Sequence, residues 1–174
     1  MEIKSERLIM RQFNEKDYEF FLKLEQNEFY IKYEKDGIPT DEQTREKFDK
    51  ILENNNSDLN YRFLITNIEN NKPLGTVLIW CIDEKIKEWE IGWGLCLEHT
   101  GKGVVTEAAR RLLDFGFEEL KAHRITANCN AENIASENVM KRLGMKKEGT
   151  LRDTRVLKGK WYDSSYYSIL ENEI

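Results

Sequence analysis

The stretch Thr100-Gly101-Lys102-Gly103-Val104-Val105-Thr106 joins an apolar segment ending at Leu97 to a run of helical periodicity that begins at Val104. Two glycines let the backbone turn sharply, and the first N–H groups of the following helix have no partner within it. With the positive end of the helix dipole, such a terminus suits a diphosphate. Lys102 would add a charge and Thr106 a hydroxyl. Two familiar phosphate loops do not fit. Gly103 follows Lys102 where a P-loop needs Ser or Thr to hold magnesium. Thr106 stands where a dinucleotide fingerprint needs its third glycine. A plain helix-start turn is the other reading of these residues.

The preceding segment alternates Ile91, Trp93, Leu95 and Leu97 with Glu90, Gly92, Gly94 and Cys96. Two glycines and a small residue on one face of a strand mark close approach by another backbone or by a ligand. A long, thin ligand with a phosphate end at the turn explains both features. Glu90 shares the small-residue face, so its carboxylate can take a proton directly or through water; a solvated strand-edge acid is the alternative. Further on, Asn133 and Ser136 have the spacing of a helix cap and a first-turn residue. Cys81, Cys96 and Cys129 are scattered with no CxxC pair, which fits a reducing compartment and excludes a familiar zinc spacing; no metal is expected.

These residues need a scaffold. A net charge of −5 over 174 residues, with no Lys/Arg block, shows no nucleic-acid footprint. The longest apolar stretch, Leu74 to Ile82, is far short of the ~20 residues of a membrane span, and the charged start does not read as a signal peptide. The expectation is one soluble, cytoplasmic domain over 1–174. Strands are expected at Ser5–Phe13, Arg62–Ile68, Gly75–Ile82, Glu88–Leu97, His123–Cys129, Lys146–Leu157 and Lys160–Leu170. Helices are expected from Asn14 to about Asn27, Thr40 to about Asn54, after the glycine turn for about 17 residues, and Asn133–Leu143, which stops at Gly144. Glu28 to Pro39 reads as irregular and aromatic. The order β-α-α-β-β-β-α-β-α-β-β is an α+β arrangement, a mixed sheet of about seven strands flanked by about four helices.

The block Glu90-Ile91-Gly92-Trp93 through Gly101-Lys102-Gly103 to Thr106-Glu107-Ala108 resembles motif A of the GNAT superfamily of N-acetyltransferases. Asn133-Ile134-Ala135-Ser136 followed by Val139-Met140-Lys141-Arg142-Leu143-Gly144-Met145 is similar to its motif B. Ser5-Glu6-Arg7-Leu8, Gly159-Lys160-Trp161-Tyr162-Asp163 and Tyr167-Ser168-Ile169-Leu170 resemble the RimJ/RimL-like branch, which includes ribosomal-protein N-terminal acetyltransferases. The resemblance implies a splayed sheet whose gap holds acetyl-CoA. The pyrophosphate would meet Gly101, Lys102, Gly103 and the neighbouring amides of Val104, Val105 and Thr106. The pantetheine would pair with the backbone of Leu95 and Leu97, and an N–H near Leu95 or Cys96 would face the oxyanion.

The implied reaction is direct attack of a primary amine on the thioester. Ser136, with Asn133 beside it, would be the proton donor to the leaving thiolate, and Glu90 the base. The acceptor, a protein N-terminus or a small amine, would approach past Phe29 and Tyr33, with Asp163 either contacting it or fixing the last strands. Glu98, Thr100, Val104-Val105 and Met145 depart from the superfamily's usual residues without removing a backbone amide. The rival class is a domain of this fold that holds coenzyme A without turnover. Monomer and homodimer are both compatible with the sequence.

Overall fold

The computed structural model describes all 174 residues. Eight strands form one sheet: β1 (Glu2–Lys4), β2 (Leu8–Gln12), β3 (Asn60–Asn67), β4 (Pro73–Asp83), β5 (Glu88–Leu95), β6 (Arg124–Asn130), β7 (Lys146–Leu157) and β8 (Lys160–Leu170), in the spatial order β1-β2-β3-β4-β5-β6-β8-β7. Five helices cover it: α1 (Tyr18–Glu25), α2 (Glu28–Ile31), α3 (Asp41–Glu53), α4 (Val104–Glu118) and α5 (Ile134–Arg142). All neighbours are antiparallel except β5 and β6, which run parallel around α4.

Side-chain alternation assigns the two faces. Tyr61, Phe63 and Ile65 of β3, Val77 and Ile79 of β4, and Trp89 and Ile91 of β5 form one core with Ala108, Ala109, Leu112, Leu113 and Phe115 of α4. These α4 residues recur at helical spacing, which is why that stripe faces the sheet. Gly116 lets α4 lie close, since a Cβ there would sit 2.6 Å from Ile125 Cδ1. The intervening residues, Arg62 and Leu64 on β3, Leu78 and Trp80 on β4, and Glu90, Gly92 and Gly94 on β5, face the other way. There a smaller core of Phe13, Phe21, Phe48, Ile51 and Leu64 holds α1 and α3, its rings meeting edge to face at 5.8 Å (Phe13–Phe21) and 6.0 Å (Phe13–Phe48).

The expected elements differ in three places. Within Ser5–Phe13 only Leu8–Gln12 is strand, and a separate strand, Glu2–Lys4, precedes it, because Ser5 N–H bonds back to the Leu8 carbonyl and the turn between is gripped by Glu107 of α4. The helix from Asn14 begins as a single 3-10 turn, Glu15–Asp17, closed by an Asn14–Asp17 capping box, and Arg11 donates two 2.7 Å hydrogen bonds to Asp17. Glu28–Ile31 is a short helix, started by the Asn27 side chain accepting from the Phe29 and Tyr30 amides. The helix starts at Thr40 and Asn133 and the stop at Gly144 (φ +84°) are where the capping residues put them.

Candidate active site

The parallel pair β5–β6 keeps only three rungs, Glu88↔Arg124, Trp89↔Ile125 and Glu90↔Thr126. Beyond them β5 stays with β4 as far as Leu95, and β6 stays with β8 as far as Asn130, so the two strands part and leave a gap. The backbone of β5 lines it. Cys96 N–H donates to the Leu74 carbonyl at 3.0 Å, so by alternation the polar groups of Trp93 and Leu95 point away from β4 and into the gap. Leu95 therefore has the free N–H expected there, and Cys96 does not. Leu97 lies past the end of β5, in a 3-10 turn (Leu97–His99), where its carbonyl accepts from Thr100.

A cleft of about 1440 Å³ passes through this gap. At one end stands the glycine turn. Gly101 (φ +72°) and Gly103 (φ +77°) are both left-handed, a conformation that costs other residues energy. Gly103 is the N-cap of α4 and contributes no side-chain cap, and none of the amides from Gly101 to Thr106 has an acceptor within the chain. Gly101, Gly103, Val104, Val105 and Thr106 all border the cleft. Lys102 does not; its ammonium donates to the Glu98 carbonyl at 2.8 Å, on the far side of the turn. The turn is braced from β2. Glu107 accepts from Ser5 Oγ (2.7 Å), Arg7 N (2.9 Å) and Arg7 Nε (2.7 Å), while the Arg7 guanidinium reaches the Lys102 carbonyl at 3.4 Å.

Across the gap lies α5. Asn133 Oδ1 accepts the Ser136 N–H at 3.2 Å, so Asn133 is the cap, and the Ser136 hydroxyl borders the cleft with no partner in the chain. Glu90 sits at the last paired rung. Asn128 spans from β6 and donates to Glu90 Oε1 at 2.7 Å, and Arg155 in turn donates to Asn128 Oδ1 at 2.6 Å and to Glu34 at 2.7 Å. Burial pushes the Glu90 carboxyl up; the Arg155 charge and the Asn128 hydrogen bond only partly oppose it. A half-buried carboxylate of raised pKa beside a gap in the sheet has the properties of a general base.

The thiols do not share that profile. Burial pushes Cys129 up to about 11 and also raises Cys96, so both stay protonated and poorly nucleophilic near neutrality. His99 lies beside the turn with its pKa lowered by burial, which keeps the imidazole neutral.

The other end of the cleft is walled by α2 and the loop after it. Phe29 and Tyr33 border it, together with Tyr30. Tyr30 accounts for Gly94: a Cβ on Gly94 would stand 2.1 Å from Tyr30 Cε2. The close approach expected at this glycine is made by the chain's own aromatic ring. Gly92 is likewise covered by Leu78, 3.2 Å from where its Cβ would be. Asp163 is not brought to the cleft. Its Oδ1 accepts from Asp153 N at 3.0 Å, pinning the register shift between Leu151 and Arg155 in β7. Asn128 and Arg155 border the cleft but lack a local sequence signal, because their partners lie far away along the chain; Arg62 borders it too, its side chain without a partner.

The chain is similar to known proteins in sequence and in fold. The acetyltransferase (GNAT) domain family matches residues 7–146. An uncharacterised N-acetyltransferase of Bacillus subtilis, YnaD, is 32% identical over 99% of this chain and 99% of its own. A GNAT-family acetyltransferase from Bacillus anthracis superposes with a TM-score of 0.88 at 34% identity, over 99% of this chain and 100% of that one. RimL, a ribosomal α-N-protein acetyltransferase crystallised with coenzyme A, shares the fold at a TM-score of 0.87 and 20% identity, over 98% of each chain. No group of three or more His, Cys, Asp or Glu side chains is placed to hold a metal, and no helix is long and apolar enough to cross a membrane. The unpaired amides at the glycine turn, the strands parted at Glu90 and the match over residues 7–146 have one reading: the chain belongs to the GNAT family of acetyltransferases, with acetyl-CoA as its cosubstrate.

Proposed function

We propose that the chain transfers acetyl from acetyl-CoA to the α-amine of a polypeptide N-terminus by direct attack, within a single domain over residues 1–174. The observation that carries this reading is the continuity of the cleft, from the unpaired amides at 101–106, past Leu95 and Ser136, to Glu90. The thioester supplies an activated acyl group with a thiolate leaving group. Gly101, Gly103, Val104, Val105 and Thr106 would hold the diphosphate through their N–H groups. The Leu95 N–H would donate to the carbonyl oxygen as charge gathers there. Glu90 would take a proton from the incoming ammonium, Asn128 and Arg155 positioning its carboxylate. Ser136 would donate to the departing sulfur.

An α-amine suits this arrangement. Its pKa of ~8 leaves a useful neutral fraction near neutrality, so a carboxylate suffices as base, whereas a lysine amine at ~10.4 demands more. RimL, whose fold is the same, is named for this class of acceptor. The test is thiol release from acetyl-CoA, with mass spectrometry of the product, using peptides with free and blocked N-termini and a lysine side-chain amine. Acetylation confined to the free α-amine is the expected result. Coenzyme A binding without turnover on any amine would make the protein a sensor or scaffold, and preference for the lysine amine would refute the α-amine assignment.

A further inference from the structure

The acceptor half of the cleft is cationic although the protein as a whole carries −5. Glu25 is fully buried at the end of α1, and both Lys35 and Lys47 bond to its carboxylate, Lys47 at 2.8 Å to each oxygen. Arg62 of β3 borders the same space, and its guanidinium makes no hydrogen bond or ion pair with another group of the chain. Two lysines thus share one carboxylate, and Arg62 lies near enough to Lys47 for the two cations to repel. The remaining charges nearby are Glu34 and Glu90, linked through Asn128 and Arg155, and Lys32, which lies over the Tyr33 ring at 4.8 Å. Burial lowers the pKa of the Lys47 ammonium despite Glu25, and Arg62 and Lys35 add to the lowering. Positive charge is in excess here.

Register fixes where that excess sits relative to the base. Arg62 pairs with Leu78, and Leu78 with Gly92, one row from Glu90 on the same face of the sheet. Two strands across and two residues along, the Cα atoms of Arg62 and Glu90 are about 12 Å apart. An arginine side chain covers about half of that span. A chain extending ~3.3 Å per residue from an amine at Glu90 therefore brings its second or third side chain to Arg62.

We propose that the acceptor bears a carboxylate close to its amine, an acidic residue at the second or third position of the N-terminus, and that Arg62, backed by Lys47 and Lys35, is the specificity determinant that binds it. The proposal rests on amine acetylation at this site. A carboxylate there would find an unpaired guanidinium able to accept it with two hydrogen bonds. A polyamine would instead bring like charge against three cations.

The experiment compares kcat/KM for two peptides with the same free N-terminus, one with Asp at positions two and three and one with Asn. Spermidine and a dilysine analogue complete the panel. The wild type should favour the Asp peptide about tenfold or more, the scale of one charge-assisted hydrogen bond at a half-buried site. Arg62→Gln should reduce that ratio to near one, and Arg62→Lys should restore part of it. Arg62 is half-exposed and unpaired, so these variants fold if the assignment is right; circular dichroism and acetyl-CoA titration check it. Equal rates on both peptides, preference for spermidine, or an Asp/Asn ratio unchanged in Arg62→Gln would overturn the proposal and leave amine acetylation standing. If the cations served only to keep the bound amine neutral, Arg62→Gln would shift the pH profile equally for both peptides, which also overturns it. Transfer to no amine by a chain that binds acetyl-CoA would remove both this proposal and the function on which it rests.

Discussion

Gly94→Ala separates two reasons for a glycine in β5. The added Cβ would lie 2.1 Å from Tyr30 Cε2 and 2.7 Å from both Cζ and Oη. Carbon atoms rest at about 3.5 Å, so the ring must retreat by roughly 1.4 Å. Overpacking of this kind costs about 1–3 kcal/mol. For a chain of this length that is a fall in Tm of about 2–4 °C for each kcal/mol. The tyrosine borders the cleft from α2, beside Phe29, so the acceptor KM should rise more than the acetyl-CoA KM. In a Tyr30→Ala background the clash has no partner. The same change should then be neutral, or stabilising by up to about 1 kcal/mol, because alanine loses less backbone entropy than glycine in a strand. Thermal melts of the four proteins give a coupling of about 1–3 kcal/mol. A full Gly94→Ala penalty in the absence of Tyr30, or a raised acetyl-CoA KM in both backgrounds, would refute the argument and return the glycine to the ligand.

Three further outcomes follow from the site. Asn128→Ala removes a hydrogen bond that favours ionised Glu90, whose pKa burial already raises, so the acid limb of kcat/KM should move to higher pH than in the wild type; an unmoved limb would exclude Glu90 as the titrating base. Lys102→Ala should change acetyl-CoA affinity less than threefold (on the order of one exposed charge contact), whereas the pair Gly101→Glu and Gly103→Glu should abolish calorimetric binding; the reverse order would show that the side chain, not the amides, holds the diphosphate. Glu107→Ala should lower stability by about 1–2 kcal/mol and raise the acetyl-CoA KM, since it releases Ser5 and Arg7 from the turn. Burial opposes the Glu107 charge, but the Ser5 and Arg7 hydrogen bonds lower its pKa below 4.5 overall. That stability is present above pH 4.5 and is lost as pH falls through the folded value, so the Tm gap between wild type and Glu107→Ala should close in acid.

Much of this molecule was legible as sequence because it depends on neighbours along the chain. The caps at Thr40 and Asn133, the left-handed stop at Gly144, the alternation of β5 and the glycines that open α4 are local decisions, set by side-chain reach and backbone φ within a few residues. From them the unpaired amides of the phosphate turn follow directly. Tertiary structure decided the rest, because charges and rings separated in sequence meet only after the sheet is ordered. Glu90 finds Asn128 across the parted strands, Arg7 finds Glu107, and Tyr30 fills the hollow left by Gly94. Lys102 and Asp163 turn away from the cleft through shorter-range contacts, the Glu98 carbonyl four residues back and the Asp153 amide across the β7–β8 hairpin. Arg62 is the converse case, a residue whose alternation says which face it shares but whose side chain's lack of a partner, close to Lys47, appears only once the sheet and α3 are assembled.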